Sequence, residues 1–408
     1  MDIKLNKSSI NKQSSITITG SKSESNRLLL LQALYPEISI ENLSNSDDSE
    51  VMQMALNTSE TTIDIHHAGT AMRFLTAYFA SKEGREVILT GSQRMKERPI
   101  QILVEGLEQL GADIAYLETK GCPPLKIKGK KLKNDKVTLK ANVSSQYISA
   151  LLLIAPKLEN GLELTLEGTI TSIPYIKMTL SLLDEIGVES SFSGNIIMVK
   201  PKSKLNNPIT LVVESDWSSA SYFYSIVAMS PIETVITLSS YKKHSLQGDS
   251  VMAEIYKSFG VSTTFGNNTI TLKKVSNTVS DFVFEYDLSN APDIAQTIAV
   301  TCLGLGLECQ LSGLHTLKIK ETDRLEALKS EIEKFGAKVE ITDNSLHLFA
   351  SNQLKNNPSI ATYNDHRMAM AFAPLALKTN LQIQDANVVS KSYPSFWEDL
   401  KALGFQIK

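Results

Sequence analysis

Cysteine is scarce in this chain: Cys122, Cys302 and Cys309 are the only three in 408 residues. Their spacing fits neither a disulfide framework nor a zinc site, so a reduced, cytoplasmic protein is expected. Long apolar runs are missing as well. The longest, residues 148–155 and 298–307, fall well short of the roughly 20 residues a membrane span needs. The opening MDIKLNKSSINKQSS has no apolar core, so it does not read as a signal peptide. Basic charge is not in excess. With 41 Lys and Arg against 44 Asp and Glu, general affinity for nucleic acid or for acidic membranes is excluded. The chain has no His-Glu-x-x-His, no Cys-x-x-Cys and no serine or cysteine nucleophile elbow. No metal and no cofactor are expected. Chemistry should rest on positioning, cations and proton transfer.

Arginines, in contrast, stand at the starts of apolar helical patterns. The stretches are GSKSESNR ending at Arg27, HAGTAMR ending at Arg73, KETDR ending at Arg324 and NDHR ending at Arg367. A helix start carries partial positive charge, so a cation there is disfavoured by roughly 0.3–1 kcal/mol. A bound anion held jointly by the N–H groups and the arginine reverses that sign. Four such places in a chain of net charge −3 point to a pocket for several anionic groups.

A second pattern is a repeat of amphipathic helix, glycine and strand. It centres on Gly111, Gly187, Gly260, Gly336 and Gly404, which lie 68–76 residues apart. Each glycine is expected to end its helix in the left-handed conformation. Alternation such as Lys338-Val339-Glu340-Ile341 reads as a half-buried strand. A period near 70 implies about six units. The first, near residues 52–65, is degenerate, with Asn57 in the cap region. The fold class is therefore α/β, with two lobes of three β/α units each. One lobe is assigned residues 20–214, and the other residues 1–19 and 215–408. The active site is expected in a cleft between them, a frequent place for ligands.

The motifs supply candidates. Ser21 and Glu24 have capping-box spacing, with Lys22 in the turn before the helix. Gly69 allows close backbone approach, Thr70 can cap, and Arg73 lies in the first turn. Arg94, Lys96 and Arg98 cluster around Glu97, and Pro99 restricts Arg98. Ser144, Ser145 and Gln146 open a helix with hydroxyls suited to phosphate. Glu321 sits between Lys320 and Arg324, where a carboxylate stays ionised unless buried. Asp293 opens an apolar helix and reads either as a cap or as an acid or base. Asp365, His366 and Arg367 follow in NDHRMAMAF, and Lys391 stands alone in VSKSYPSF.

Together GSKSESNR, AGTAMR, RMKERP, SSQ, DWSSASYF, LQGD, KETDR and TYNDHRMAM, in this order from Gly20 to Lys391, closely resemble the EPSP synthase family of enolpyruvyl transferases. The resemblance implies transfer of a carboxyvinyl group from phosphoenolpyruvate to the 5-hydroxyl of shikimate 3-phosphate. It implies that phosphate is released by addition and elimination through a tetrahedral intermediate. It implies Lys22, Gly69, Arg98, Gln146, Arg324, Arg367 and Lys391 on phosphoenolpyruvate. It implies Lys22, Ser23, Arg27, Ser144, Ser145, Gln146, Ser172, Tyr175, Asp293 and Lys320 on shikimate 3-phosphate. It implies proton transfer by Asp293, Glu321 and Lys22, and Arg73, Thr70 and His366 are expected in support. A monomer is expected, with glyphosate, which resembles phosphoenolpyruvate, as a candidate inhibitor. Eight of these cations face two carboxylates, an excess that two substrates of about −5 to −6 together would neutralise.

Three positions depart from the family pattern: His67 for asparagine, Phe74 for proline and Thr316 for asparagine. The nearest alternative is the UDP-N-acetylglucosamine carboxyvinyltransferase family, which carries a reactive cysteine. Cys122 in KGCPPLKI has no activating context. An RNA-end-processing or nucleotide-binding protein on a related fold is the other alternative. The acidic balance and the lack of interleaved aromatic and basic residues speak against it.

Overall fold

The structure is a computed structural model that describes residues 1–140, 144–168, 170, 173–277, 283–351 and 353–408. The chain divides into two compact units, Gly20–Val213 and Met1–Thr19 with Glu214–Lys408.

Each unit is built from one repeated pattern. A strand leads through a helix to a parallel strand. A second helix ends at a glycine, and a hairpin then returns antiparallel to the sheet. In the Gly20–Val213 unit, Thr62–Asp64 pairs parallel with Glu86–Thr90. The hairpin of Asp113–Tyr116 and Leu125–Lys128 completes that sheet. Lys136–Lys140, Leu162–Glu167, Ile196–Val199 and Ser190–Ser193 repeat the arrangement. The third sheet has only two parallel strands among the described residues, Ile38–Glu41 and Ile209–Val212. In the other unit the three sheets have four strands each. The N-terminal strand Ile3–Asn6 closes one of them, antiparallel to both Leu381–Ile383 and Gln406–Ile407.

The periodic glycines behave as their sequence demands. Gly111, Gly187, Gly260, Gly336 and Gly404 all have positive φ, a conformation that costs a side-chain-bearing residue free energy but not glycine. Asn57 does not join them. It is the last residue of the helix Asp47–Asn57, whose cap, Thr58, is extended. No hairpin follows there, so the chain has no need to reverse through a left-handed residue.

Three helices in each unit are buried along most of their length, and these position the motifs. In the Gly20–Val213 unit they are Lys22–Leu34, Gly69–Ser81 and Ser145–Ile154, and they pack on one another. In the other unit they are Trp217–Met229, Ala295–Leu305 and His366–Phe372. Apart from Lys22–Leu34, which buries Glu24, Ser25, Asn26 and Arg27 in its first half, these helices are largely apolar and so sit inside a core. Lys22, Gly69, Ser145 and Arg367 occupy the starts of these helices and Asp293 the turn before one of them, so a rigid core fixes the place of these residues.

Candidate active site

Asp293 is the centre of the charged group in the Glu214–Lys408 unit. Its Oδ1 accepts from Arg324 Nη1 at 2.8 Å and lies 3.3 Å from Lys320 Nζ. Its Oδ2 lies 3.3 Å from Arg367 Nη2. Burial works to raise the Asp293 pKa, but the charges of Lys320, Arg367 and Arg324 outweigh it and hold the carboxyl well below its usual range. Of the two sequence readings of Asp293, the structure shows a carboxylate gripped by cations rather than a helix cap.

Arg324 is the first residue of the helix Arg324–Glu333, whose cap Asp323 accepts from the N–H groups of Leu325 and Glu326. Its guanidinium is 2% exposed. Besides Asp293 it reaches Glu321 Oε2 at 2.8 Å and Asp365 Oδ2 at 2.6 Å. Asp365 also caps the next buried helix through the N–H of Arg367. Lys391 Nζ donates to the carbonyl oxygen of Asn364 at 2.6 Å and to its Oδ1 at 3.1 Å. His366 is buried beside Asp365, its Nδ1 3.8 Å from Oδ1.

Asp249 adds a buried carboxyl that the sequence did not single out. Ser218 Oγ donates to its Oδ2, and its Oδ1 has no hydrogen-bond partner among the described residues. Burial first, and then the charge of Asp293, push its pKa up to about 6 against the pull of Arg367. The signal was present in LQGD and DWSSASYF, but only the fold brings those motifs together.

In the Gly20–Val213 unit, Lys22 is the first residue of its helix rather than part of the preceding turn. Its Nζ lies 3.1 Å from Asp48 Oδ2. Asp48 was missed, although the acid doublet in NSDDSE opens the helix that carries it. Ser21 does not form the expected capping box. Its side chain makes no cap hydrogen bond, and its buried Oγ has no partner among the described residues.

Arg27 and Arg73 lie in the second turn of their helices, not at the first residues. Each folds back on its own helix start. Arg27 Nη1 donates to the Ser23 carbonyl at 2.6 Å and Arg73 Nη1 to the Gly69 carbonyl at 2.9 Å. Arg27 further donates to Thr179 Oγ1, to Ser149 Oγ and to the Tyr175 carbonyl. Burial lowers its pKa to about 10. Phe74 lies under it, with the ring centroid 5.4 Å from the guanidinium carbon.

Gly69 faces Arg98. A methyl group at Gly69 would meet Arg98 Nη1 at 2.6 Å, so the guanidinium lies on a surface only glycine leaves open. Arg98 Nε is buried with no hydrogen-bond partner among the described residues. Arg73 Nη2 also donates to the Pro99 carbonyl at 3.3 Å, which ties the backbones of Gly69 and Pro99 together. Thr70 is the second residue of its helix rather than its cap, and its Oγ1 accepts from Gln146 Nε2 at 3.1 Å. Ser144 is a cap, accepting from the Gln146 N–H, and Ser145 is the first helical residue. Ser172 lies outside the described residues.

The electrostatic expectation needs revising. Arg324, Arg367, Lys320 and Lys22 already have carboxylates beside them, supplied by Asp293, Glu321, Asp365 and Asp48. An incoming anion must therefore compete with internal counter-ions rather than relieve bare repulsion. No cluster of metal-ligating side chains occurs among the described residues, and no helix there is long and apolar enough to cross a membrane.

The family model for EPSP synthase (3-phosphoshikimate 1-carboxyvinyltransferase) matches residues 52–400. The chain is 47% identical over 401 residues to the 3-phosphoshikimate 1-carboxyvinyltransferase of Bacteroides fragilis strain YCH46, covering 97% of this chain and 96% of that one. It is 36% identical over 424 residues to the protein of the same name from Haemophilus influenzae strain PittEE, with 96% of each covered. Among solved structures, the EPSP synthase of Acinetobacter baumannii aligns over 100% of this chain and 99% of its own, with a TM-score of 0.81 at 20% identity. That last likeness bears on the fold.

Proposed function

The chain belongs to the EPSP synthase family, and from that premise we propose how its residues share the chemistry. The enzyme transfers the carboxyvinyl group of phosphoenolpyruvate to shikimate 3-phosphate and releases phosphate, a step of aromatic amino acid biosynthesis. The observation that carries our reading is the grip of Lys320, Arg324 and Arg367 on Asp293 beside Glu321.

A carboxylate held that far below its usual range is a weak base. It gains basicity when its cations turn to other anions. Phosphoenolpyruvate offers a phosphate and a carboxylate to Arg324, Arg367 and Lys391, and shikimate 3-phosphate offers its carboxylate and phosphate to Lys320 and other groups. As they engage, Asp293 becomes able to take the proton of the 5-hydroxyl. The oxygen then adds to C2 of phosphoenolpyruvate while Glu321 or Lys22 delivers a proton to C3. The tetrahedral intermediate loses a proton from C3 and expels phosphate, so the double bond re-forms and atoms balance. The basicity of Asp293 is thus linked to occupancy, which guards against idle proton transfer.

We assign Gly69, Arg98, Gln146, Arg324, Arg367, Lys391 and Lys22 to phosphoenolpyruvate. Ser23, Arg27, Ser144, Ser145, Gln146, Ser172, Tyr175, Asp293, Lys320 and Lys22 go to shikimate 3-phosphate. Arg73, Thr70 and His366 support them. The bonds of Arg27 to the Ser23 and Tyr175 carbonyls favour a role in arranging the shikimate residues. We take the enzyme to act as a cytoplasmic monomer without a cofactor, and glyphosate to compete for the phosphoenolpyruvate residues.

A coupled phosphate-release assay tests the reading. Phosphate should appear only when phosphoenolpyruvate and shikimate 3-phosphate are both present. Release that instead requires UDP-N-acetylglucosamine would overturn it.

A further inference from the structure

Glu331 is a fully buried carboxylate, 0% exposed, on the helix that begins with Arg324. Its Oε1 accepts from the Tyr363 hydroxyl at 2.7 Å and its Oε2 from the Ala361 N–H at 3.1 Å. Lys334 Nζ reaches the same Oε2 at 2.6 Å and also donates to the Ser359 carbonyl. Burying such a group is unfavourable unless its hydrogen bonds are made, and here two of its three partners lie in one short turn. In that turn Tyr363 and Asn364 both have positive φ, 52° and 58°. Two successive non-glycine residues in that region are held by their surroundings rather than by preference.

The turn matters for what hangs from it. Asn364 supplies two acceptors to Lys391 Nζ, and Asp365 binds Arg324 and caps the helix carrying Arg367. Arg324 and Glu331 are seven residues apart, two helical turns, so they share one helix face about 10.5 Å apart along the axis. One helix therefore grips residues 361–365 at both ends. Arg324 holds Asp365, and Glu331 holds Ala361 and Tyr363.

We infer that Glu331 is a positioning residue for phosphoenolpyruvate: by pinning the strained Tyr363-Asn364 turn it places Lys391. The inference rests on the transferase reading above, and the test separates the two. The full-length enzyme is compared with its Glu331→Gln, Glu331→Leu and Tyr363→Phe variants by steady-state kinetics and by amide hydrogen exchange. The KM for phosphoenolpyruvate should rise on the order of tenfold in Glu331→Leu and less in Glu331→Gln, which keeps one acceptor. The KM for shikimate 3-phosphate should stay within about twofold. In a Lys391→Ala background, Glu331→Gln should add almost nothing, because the effect passes through Lys391. Exchange at residues 361–365 should accelerate while the helix Ala295–Leu305 keeps its protection. Should Glu331→Leu not fold, Glu331→Gln and Tyr363→Phe carry the same comparison. An unchanged phosphoenolpyruvate KM despite a loosened turn overturns the inference, as does full additivity with Lys391→Ala or unaltered exchange. If the wild type releases no phosphate from the two substrates, the transferase reading fails by itself, and exchange still decides whether Glu331 holds the turn.

Discussion

Arg324 Nη1 donates to Asp293 Oδ1 at 2.8 Å, so a cation assigned to phosphoenolpyruvate and the base assigned to shikimate 3-phosphate hold each other. In the mechanism we propose, this pair couples the two substrates through one hydrogen bond, and drawing Arg324 toward phosphoenolpyruvate frees Asp293 to accept a proton.

Replacing Asp293 by Asn should expose that coupling. Turnover should fall by about 10²-fold or more, as when a general base is lost. Affinity for phosphoenolpyruvate should stay within about tenfold and shift toward tighter binding, because a competing carboxylate is gone. Single-turnover kinetics and calorimetry give the two numbers. Equal loss of both would mark Asp293 as structural.

Gly69→Ala should act on Arg98. The added methyl would lie 2.6 Å from Nη1, and the end of a long side chain yields before a buried helix does. We expect phosphoenolpyruvate binding to weaken by roughly tenfold with little change in melting temperature. Arg98→Lys should weaken it similarly, since an ammonium cannot make the bidentate contact. Equilibrium binding of phosphoenolpyruvate in the presence of shikimate 3-phosphate reads both variants. Unaltered affinity in Arg98→Lys would remove Arg98 from the site.

Asp249 gives a pH signature. Its pKa in the fold, about 6, lies above the value of about 3.9 for an unfolded aspartate. Between those values the folded state binds the extra proton, so stability from this group is complete below about 4 and is lost as pH rises through about 6. Asp293 works the other way: its lowered pKa stabilises the fold above about 4 and that contribution fades in acid. Asp249→Asn should thus gain stability relative to wild type as pH rises from about 4 to 6, with no further change above about 7. Chemical denaturation at a series of pH values checks it, and a difference that is flat from pH 4 to 7 would contradict the assignment.

Arg27→Lys should destabilise the protein by about 2–3 kcal/mol. One ammonium cannot serve Thr179, Ser149 and the carbonyls of Ser23 and Tyr175 together. Shikimate 3-phosphate affinity should drop as Ser23 and Tyr175 lose their common anchor. Urea denaturation and calorimetry measure the two effects, and an unchanged midpoint would show that the buried contacts contribute little.

Much of the fold was legible because it rests on short-range physics. The five glycines were readable since a helix that must turn into a strand needs a left-handed residue a few positions on. Asn57 misled because the hairpin that would require such a residue is not there. Ser21 and Thr70 misled because cap spacing identifies only an option, which Ser21 does not take and which Thr70 gives up to Gln146. The candidate residues were legible by type, but their pairing was not: Asp293, Glu321 and Asp365 stood out in the sequence, yet their shared hold on Arg324 did not. Asp48 and Glu331 lie outside every motif singled out, and Asp249, although it ends LQGD, has no local signal that it is buried against Ser218.

The sequence by itself determined the glycine ends, the helix starts to within a turn and the chemical kinds of side chain near them, because each depends on neighbours within a turn or two. Tertiary structure alone decided which charge answers which. Arg324 finds Asp293 31 residues away and Asp365 41 residues away, while Arg27 finds Ser149 across 122 residues. Buried charges are tolerated only when paired, and the partner is whichever carboxylate or hydroxyl the packed helices bring within reach.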